Sequence, residues 1–185
     1  EWFPKKLQSQ KILIEKNPQF RIMQTKEIWI RHGVRVNPPR SHQKFQGDLF
    51  NESLERCMIT PSSVFMEKTL FEEYGGFDES FQACEDYDLW LRITADHQIG
   101  LLDEFLLTRY GGHPDQLSGS VPNLDRYRIR SMLKLLYQNR INEIQRRSVE
   151  NCIVRRAEIV ANGYLKRNNR ELYERFIVIA NQYRH

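Results

Sequence analysis

The residues of this chain best suited to chemistry are adjacent carboxylates where a turn runs into a helix. They lie in residues 74–92, Y-G-G-F-D-E-S-F-Q-A-C-E-D-Y-D-L-W-L-R. A Gly-Gly turn leads to the acidic cluster Glu85, Asp86 and Asp88, and an amphipathic run with helical spacing through Leu89, Trp90, Ile93 and His97 follows. The free N–H groups and partial positive charge of a helix start favour carboxylates there, and a rigid helix fixes their direction. A carboxylate held this way can take a proton from a hydroxyl group. Plain N-capping uses the same residue types at the same place, and spacing alone does not separate the two readings.

The elements that must position this cluster begin at the first residues. E-W-F-P-K-K-L-Q-S-Q-K-I-L-I puts Leu7, Gln10, Lys11 and Ile14 on a helical stripe, with Pro4 acceptable in the first turn. Within residues 20–36, F-R-I-M-Q and E-I-W-I-R alternate as two consecutive strands, and Pro38-Pro39 opens a polar loop that runs to Gln46. Asp48 is placed to cap a short helix through Leu54, residues 57–59 read as a short buried strand, and residues 60–63 interrupt it before Val64-Phe65-Met66. Ser62 and Ser63 there suit turn or capping roles. Residues 68–74 make a short helix that Gly75 ends. Beyond the acidic helix, residues 99–102 and 105–110 read as two strands split by an Asp103-Glu104 bend. From Asn123 the spacing is helical in three runs: Leu124 to Leu136; Ile144, Val149, Ile153, Ala157 and Val160, closed by Asn162-Gly163; and Leu172 to Ala180. Short polar turns between them imply antiparallel helices.

Composition bounds the class. The chain has 185 residues, 40% hydrophobic and 28% charged, which predicts a soluble globular protein with a real core. No apolar run approaches the ~20 residues of a membrane span, and no signal-peptide pattern occurs. Cys57, Cys84 and Cys152 are odd in number and widely spaced, which argues against a zinc site or disulfide framework and for reduced thiols in a cytosolic protein. Residues 1–120 carry 14 Lys and Arg against 18 Asp and Glu, whereas residues 121–185 carry 14 against 6. The shift in charge predicts two segments with a boundary near residue 120. The pairs Arg146-Arg147, Arg155-Arg156 and Lys166-Arg167 make either a solvated helical face or a patch for anionic lipid headgroups; no nucleic-acid recognition motif accompanies them.

The segment G-G-F-D-E-S-F followed by E-D-Y-D-L-W-L-R resembles the family 2 glycosyltransferases, inverting enzymes of the GT-A fold that use nucleotide-diphospho-sugars. The first residues resemble the family's D-D-x-W-x-P-x-K-L-x-x-Q element at Trp2, Pro4, Lys6, Leu7 and Gln10. The likeness runs from Glu1 to about Ser120. It implies an α/β fold, a partial GT-A-like (Rossmann-like) mixed sheet with flanking helices, over residues 1–120, followed by an all-α helical appendage over 121–185. It further implies that Asp86 is the general base and Glu85 orients the acceptor, with Phe77, Tyr87 and Trp90 desolvating the base. Ser62, Ser63 and Trp90 would lie at the acceptor side. Arg109 and His113 match an R-x-x-x-H segment whose histidine approaches a metal or the leaving-group phosphates, and Mg²⁺ or Mn²⁺ is the expected ion. Asp78, Asp88 and Arg92 are expected to pair structurally around the turn.

The partners implied are a nucleotide-sugar donor and a saccharide or lipid-linked acceptor, as in bacterial cell-envelope polysaccharide biosynthesis, in the cytoplasm or at the inner face of the membrane. In the family a D-x-D metal motif precedes the matched tryptophan, and Glu1 is all that stands for it. The chain is therefore expected to be the C-terminal part of a longer enzyme, inactive by itself, and to dimerise over the sheet edge that the other half would cover. The alternative is a non-catalytic helical binding module on a degenerate transferase core. A glycosidase would need two carboxylates on opposite sides of a sugar, ~5–10 Å apart, which adjacent residues do not supply.

Overall fold

Strand β1 (Ile22–Arg31) is the centre of a mixed, four-stranded open sheet. In this computed structural model, which describes residues 1–112 and 123–184, helices flank the sheet and a helical segment follows it. Along one edge of β1 lies the parallel strand β4 (Gly100–Gly111). The other edge pairs antiparallel with β3 (Phe65–Met66) at Ile22 and Met23 and with β2 (Val34–Val36) at Trp29, Ile30 and Arg31.

Three strand expectations are corrected. The two strands expected within residues 20–36 are one, and the returning strand is β2. It is reached through His32 and Gly33, whose φ values of 49° and 77° are those of a two-residue hairpin turn. The Asp103-Glu104 pair does not divide β4 either. Thr25 faces Leu102 while Lys26 faces Phe105, so the two acidic residues bulge out of one continuous strand, and Asp103 forms an ion pair with Lys26. Residues 57–59 are irregular, although Met58 and Ile59 are buried. Side chains meet its polar groups instead of a ladder: Lys44 Nζ donates to Met58 O (3.5 Å), and Cys57 Sγ lies 3.2 Å from Ile59 O.

Helix α1 (Lys6–Lys16) also departs from its expected stripe. Its buried residues are Lys6 and Gln10, while Leu7 and Ile12 are exposed. Lys6 Nζ donates to Gln10 Oε1 (2.7 Å), Gln10 Nε2 donates to Ser63 O (3.0 Å), and burial brings the Lys6 pKa down to about 8. The short helices follow expectation. Asp48 Oδ1 accepts from Phe50 N (3.0 Å) at the start of α2 (Phe50–Glu55), and α3 (Lys68–Glu73) ends at Gly75, φ 70°.

Helix α4 (Glu85–Thr94) carries the acidic cluster and is amphipathic in sequence as expected, yet each residue from Tyr87 to Thr94 is buried. The reason is that it lies between two cores. Leu89, Trp90 and Ile93 pack with Ile22, Ile59, Leu70 and Ile99, whereas Tyr87 and Leu91 pack with Phe50, Leu54 and the helical segment. That segment comprises α5 (Asp125–Gln138), α6 (Glu143–Leu165) and α7 (Arg170–Gln182). Its core residues Met132, Val149, Ile153 and Phe176 are continuous with those of α2 and α4. Helix α6 starts at a capping box between Asn142 and Gln145, and Gln145 Nε2 also donates to Ala95 O (2.8 Å) at the end of α4. Contrary to expectation, Asn162-Gly163 does not end α6; burial of Val160 and Ala161 outweighs the ~1 kcal/mol that glycine costs in a helix. Ile144, expected in the core, is exposed. Among the described residues no helix is long and apolar enough to cross a membrane.

Candidate active site

A cleft of about 490 Å³ opens at the carboxyl ends of the parallel strands β1 and β4. Trp29, Ile30 and Arg31 line it from β1, and Arg109 and Gly111 from β4. Opposite them stand the start of α4 with Glu85, Asp86 and Tyr87, and Arg128 of α5. The loop residues His42, Gln43 and Lys44 and the irregular stretch from Arg56 to Pro61 complete the wall. In open α/β sheets, ligands bind outside the carboxyl ends of strands, because the loops that diverge there leave a crevice.

Local geometry explains how α4 presents its carboxylates. Cys84 at the N-cap has φ 64° and no side-chain capping bond, so the chain swings into the helix with its first N–H groups unanswered by a cap. Asp86 answers one of them, since its Oδ1 accepts from Tyr87 N at 2.7 Å. Its other oxygen, Oδ2, lies 3.5 Å from Cys57 Sγ. One carboxylate thus serves both readings of the sequence, capping through one oxygen and facing a cleft residue through the other. Cys57 is solvent-accessible at the cleft, yet protein encloses it closely elsewhere. Burial first, and then the Asp86 charge, push its pKa up, so the thiol stays protonated and donates.

Beneath the cleft lies a buried ion pair. Lys44 Nζ is 2.9 Å from Glu27 Oε1 and donates to Thr60 Oγ1 at 2.9 Å; Trp29 Nε1 donates to Glu27 Oε2 at 3.1 Å. Burial works against the Glu27 carboxylate, but the Lys44 and Arg109 charges outweigh it and hold its pKa down. Arg109 lies 3.9 Å from Glu27 and over the Trp29 ring, 5.0 Å from its centroid, and His42 packs edge-on against the same ring. The His42 pKa is lowered by burial and then by Arg109, Arg56 and Lys44, which marks a positive field over this wall.

The residues singled out in the sequence do not all meet here. Glu85, Asp86 and Arg109 line the cleft together. Ser62 is exposed and offers its carbonyl to Trp2 Nε1 (2.7 Å), and Ser63 is buried with its hydroxyl donated to Thr60 O (2.8 Å), as a turn role requires. Neither lines the cleft. Trp90 is 2% exposed, packs in the core with Ile22 and Leu70 and meets the exposed Phe77 edge-on, and neither aromatic lines the cleft. His113 lies outside the described residues. Asp88 and Arg92 pair as expected, while Asp78 pairs with neither and is tied to them through Lys134. Arg92 Nη2 is 2.8 Å from Asp88 Oδ2 and donates to Gly76 O (2.9 Å), and Lys134 Nζ of α5 bridges Asp78 (2.7 Å) and Asp88 (3.0 Å). Lys134 and Ser80 hold the Asp78 pKa well below the usual carboxylate range.

Sequence reasoning missed Trp29, His42, Lys44, Arg56, Cys57 and Arg128. Only the polarity of the loop after Pro39 gave any signal for them; Arg56 and Arg128 are 72 positions apart in the chain and share no spacing that a motif could show. The cleft's chemistry is that of one oriented carboxylate facing several cations. No protein-family model matches the chain, and no curated protein is significantly similar to it.

Proposed function

We propose that this chain is the acceptor side of an inverting glycosyltransferase with a GT-A-like fold. The observation that carries the reading is Asp86, fixed at the first turn of α4 on the wall of a cation-lined cleft at the carboxyl ends of β1 and β4. In this reading the acceptor hydroxyl gives its proton to Asp86 Oδ2 as its oxygen bonds to the anomeric carbon of the donor. The bond from that carbon to the diphosphate breaks on the opposite face, the diphosphate leaves with the electron pair, and the configuration inverts. Glu85, beside Asp86 on the cleft wall, orients the acceptor.

Mg²⁺ or Mn²⁺ would add charge stabilisation for the departing diphosphate. Among the described residues no three His, Cys, Asp or Glu side chains come together to hold such an ion. The charge of the diphosphate is met in this reading by the cations of the cleft itself. In the full-length protein, Asp86→Asn is expected to abolish transfer and leave donor binding nearly intact, measured by nucleoside diphosphate release and by calorimetry. Turnover within a few-fold of wild type would remove Asp86 from the role of base.

A further inference from the structure

We infer that the cleft contains a phosphate subsite whose cations are Arg56 and Arg128, placed to hold a phosphate group of a substrate beside Asp86. The substrate role rests on the transferase reading; the subsite itself rests on how charge is distributed around these two arginines. Both line the cleft, and in both the Nε atom is buried without a hydrogen-bond partner among the described residues. Both side chains are otherwise partly exposed, so each guanidinium has hydrogen-bonding capacity left at the cleft, where an oxyanion would meet it with charge-assisted hydrogen bonds.

The carboxylates nearest to them in sequence are drawn elsewhere. Glu55, adjacent to Arg56, forms ion pairs with Arg155 and Arg156 of α6. Asp125, one turn before Arg128, is shared: its Oδ1 lies 3.0 Å from Arg128 Nη1 and 2.5 Å from Arg156 Nη1, so one negative charge answers two positive ones. Neither Arg56 nor Arg128 pairs with Glu85 or Asp86. Buried Arg156 thus acts as a positioning residue. It draws on the charge of Glu55 and Asp125, which would otherwise be freer to neutralise Arg56 and Arg128 at the cleft. The His42 pKa, lowered first by burial and then by Arg109, Arg56 and Lys44, agrees with a positive field at the cleft.

The test is calorimetric titration of the 185-residue chain in EDTA with inorganic pyrophosphate, uridine diphosphate and glucose 1-phosphate, with glucose as the neutral control. The phosphate-bearing probes are expected to bind without metal and glucose is not. Arg56→Gln and Arg128→Gln should each weaken phosphate binding on the order of ten-fold, the effect of removing one charge-assisted hydrogen bond. Lysine at either position keeps the charge and should lose less; it serves as the second variant where glutamine fails to fold. Tighter pyrophosphate and uridine diphosphate would identify the phosphate as the donor's leaving group, and tighter glucose 1-phosphate would place it on the acceptor. Absence of phosphate binding, or variants that bind as the parent does, overturns the subsite. The two readings fail separately. Phosphate binding with undiminished turnover of Asp86→Asn would remove Asp86 as the base and keep the subsite, phosphate binding with no transfer by the parent full-length protein would remove the transferase and keep the subsite, and transfer without phosphate binding would remove the subsite alone.

Discussion

The arginines of the cleft and those of α6 and α7 carry the same charge in opposite circumstances. On the helices, Arg147 pairs with Glu143, Arg170 with Glu174, Arg184 with Glu158 and Arg155 with Glu55, and Arg156 is buried against Asp125. At the cleft, Arg56 and Arg128 keep buried Nε atoms without partners, and Arg31 and Arg109 lie over the face of Trp29. Helices α6 and α7 have spent much of their positive charge on ion pairs, while the open positive site is shared between Arg56, from residues 1–120, and Arg128 of α5. Net charge by segment therefore points to the wrong face, because what attracts an anion is the charge left after local pairing. A lipid-binding role for the helices remains a proposal, and the field available for it is smaller than the excess of Lys and Arg over residues 121–185 suggests.

The strongest way to break this contrast is Arg156→Met. Arg156 is 8% exposed, lies 2.5 Å from Asp125 Oδ1, and donates to Leu54 O (3.1 Å) and Glu55 O. Its carboxylate partners are partly exposed, so the main loss is the hydrogen bonds to the carbonyls of residues 54 and 55, and chemical denaturation should show a cost of about 1–3 kcal/mol. The same change frees Asp125 to neutralise Arg128, and phosphate binding by the folded fraction should fall although the residue never touches the ligand. Undiminished binding would show that Arg156 only stabilises.

A finer probe is the titration of His42. Its pKa lies below the ordinary value, through burial first and neighbouring cations second. The unfolded chain therefore takes up a proton at higher pH than the folded chain does, and this residue's contribution to stability is lost as pH falls from the ordinary histidine value toward the folded one. Pyrophosphate in the cleft should move the folded pKa upward, as should Arg56→Gln in the free protein. Both shifts can be followed by the imidazole proton resonances. Arg147→Gln, whose guanidinium is exposed and pairs across one helical turn, should move neither this pKa nor stability by more than about 0.5 kcal/mol.

What the sequence made legible was local. The acidic start of α4, the Gly75 stop, the turn roles of Ser62 and Ser63 and the Asp88–Arg92 pairing all follow from interactions within a few residues. The errors arose where distant partners decide. The Asp103-Glu104 bulge looks like a break until β1 is laid beside it, and α4 looks amphipathic until the helical segment covers its second face. In α1, polar Lys6 and Gln10 are buried because the carbonyls of residues 63 and 64 accept from them, a circumstance that no hydrophobic stripe encodes. For the same reason Asp86 was found and Arg56 and Arg128 were not. The first sits in a contiguous motif, and the other two meet only once α5 folds against α4.

The contrast between the two regions can be decided by one experiment: crystals soaked in tungstate, a phosphate mimic located by its anomalous scattering. The account predicts a peak in the cleft within hydrogen-bond reach of the Arg56 and Arg128 guanidiniums, on the side facing Asp86. Peaks confined to the exposed arginines of α6 and α7, with the cleft empty, would contradict it.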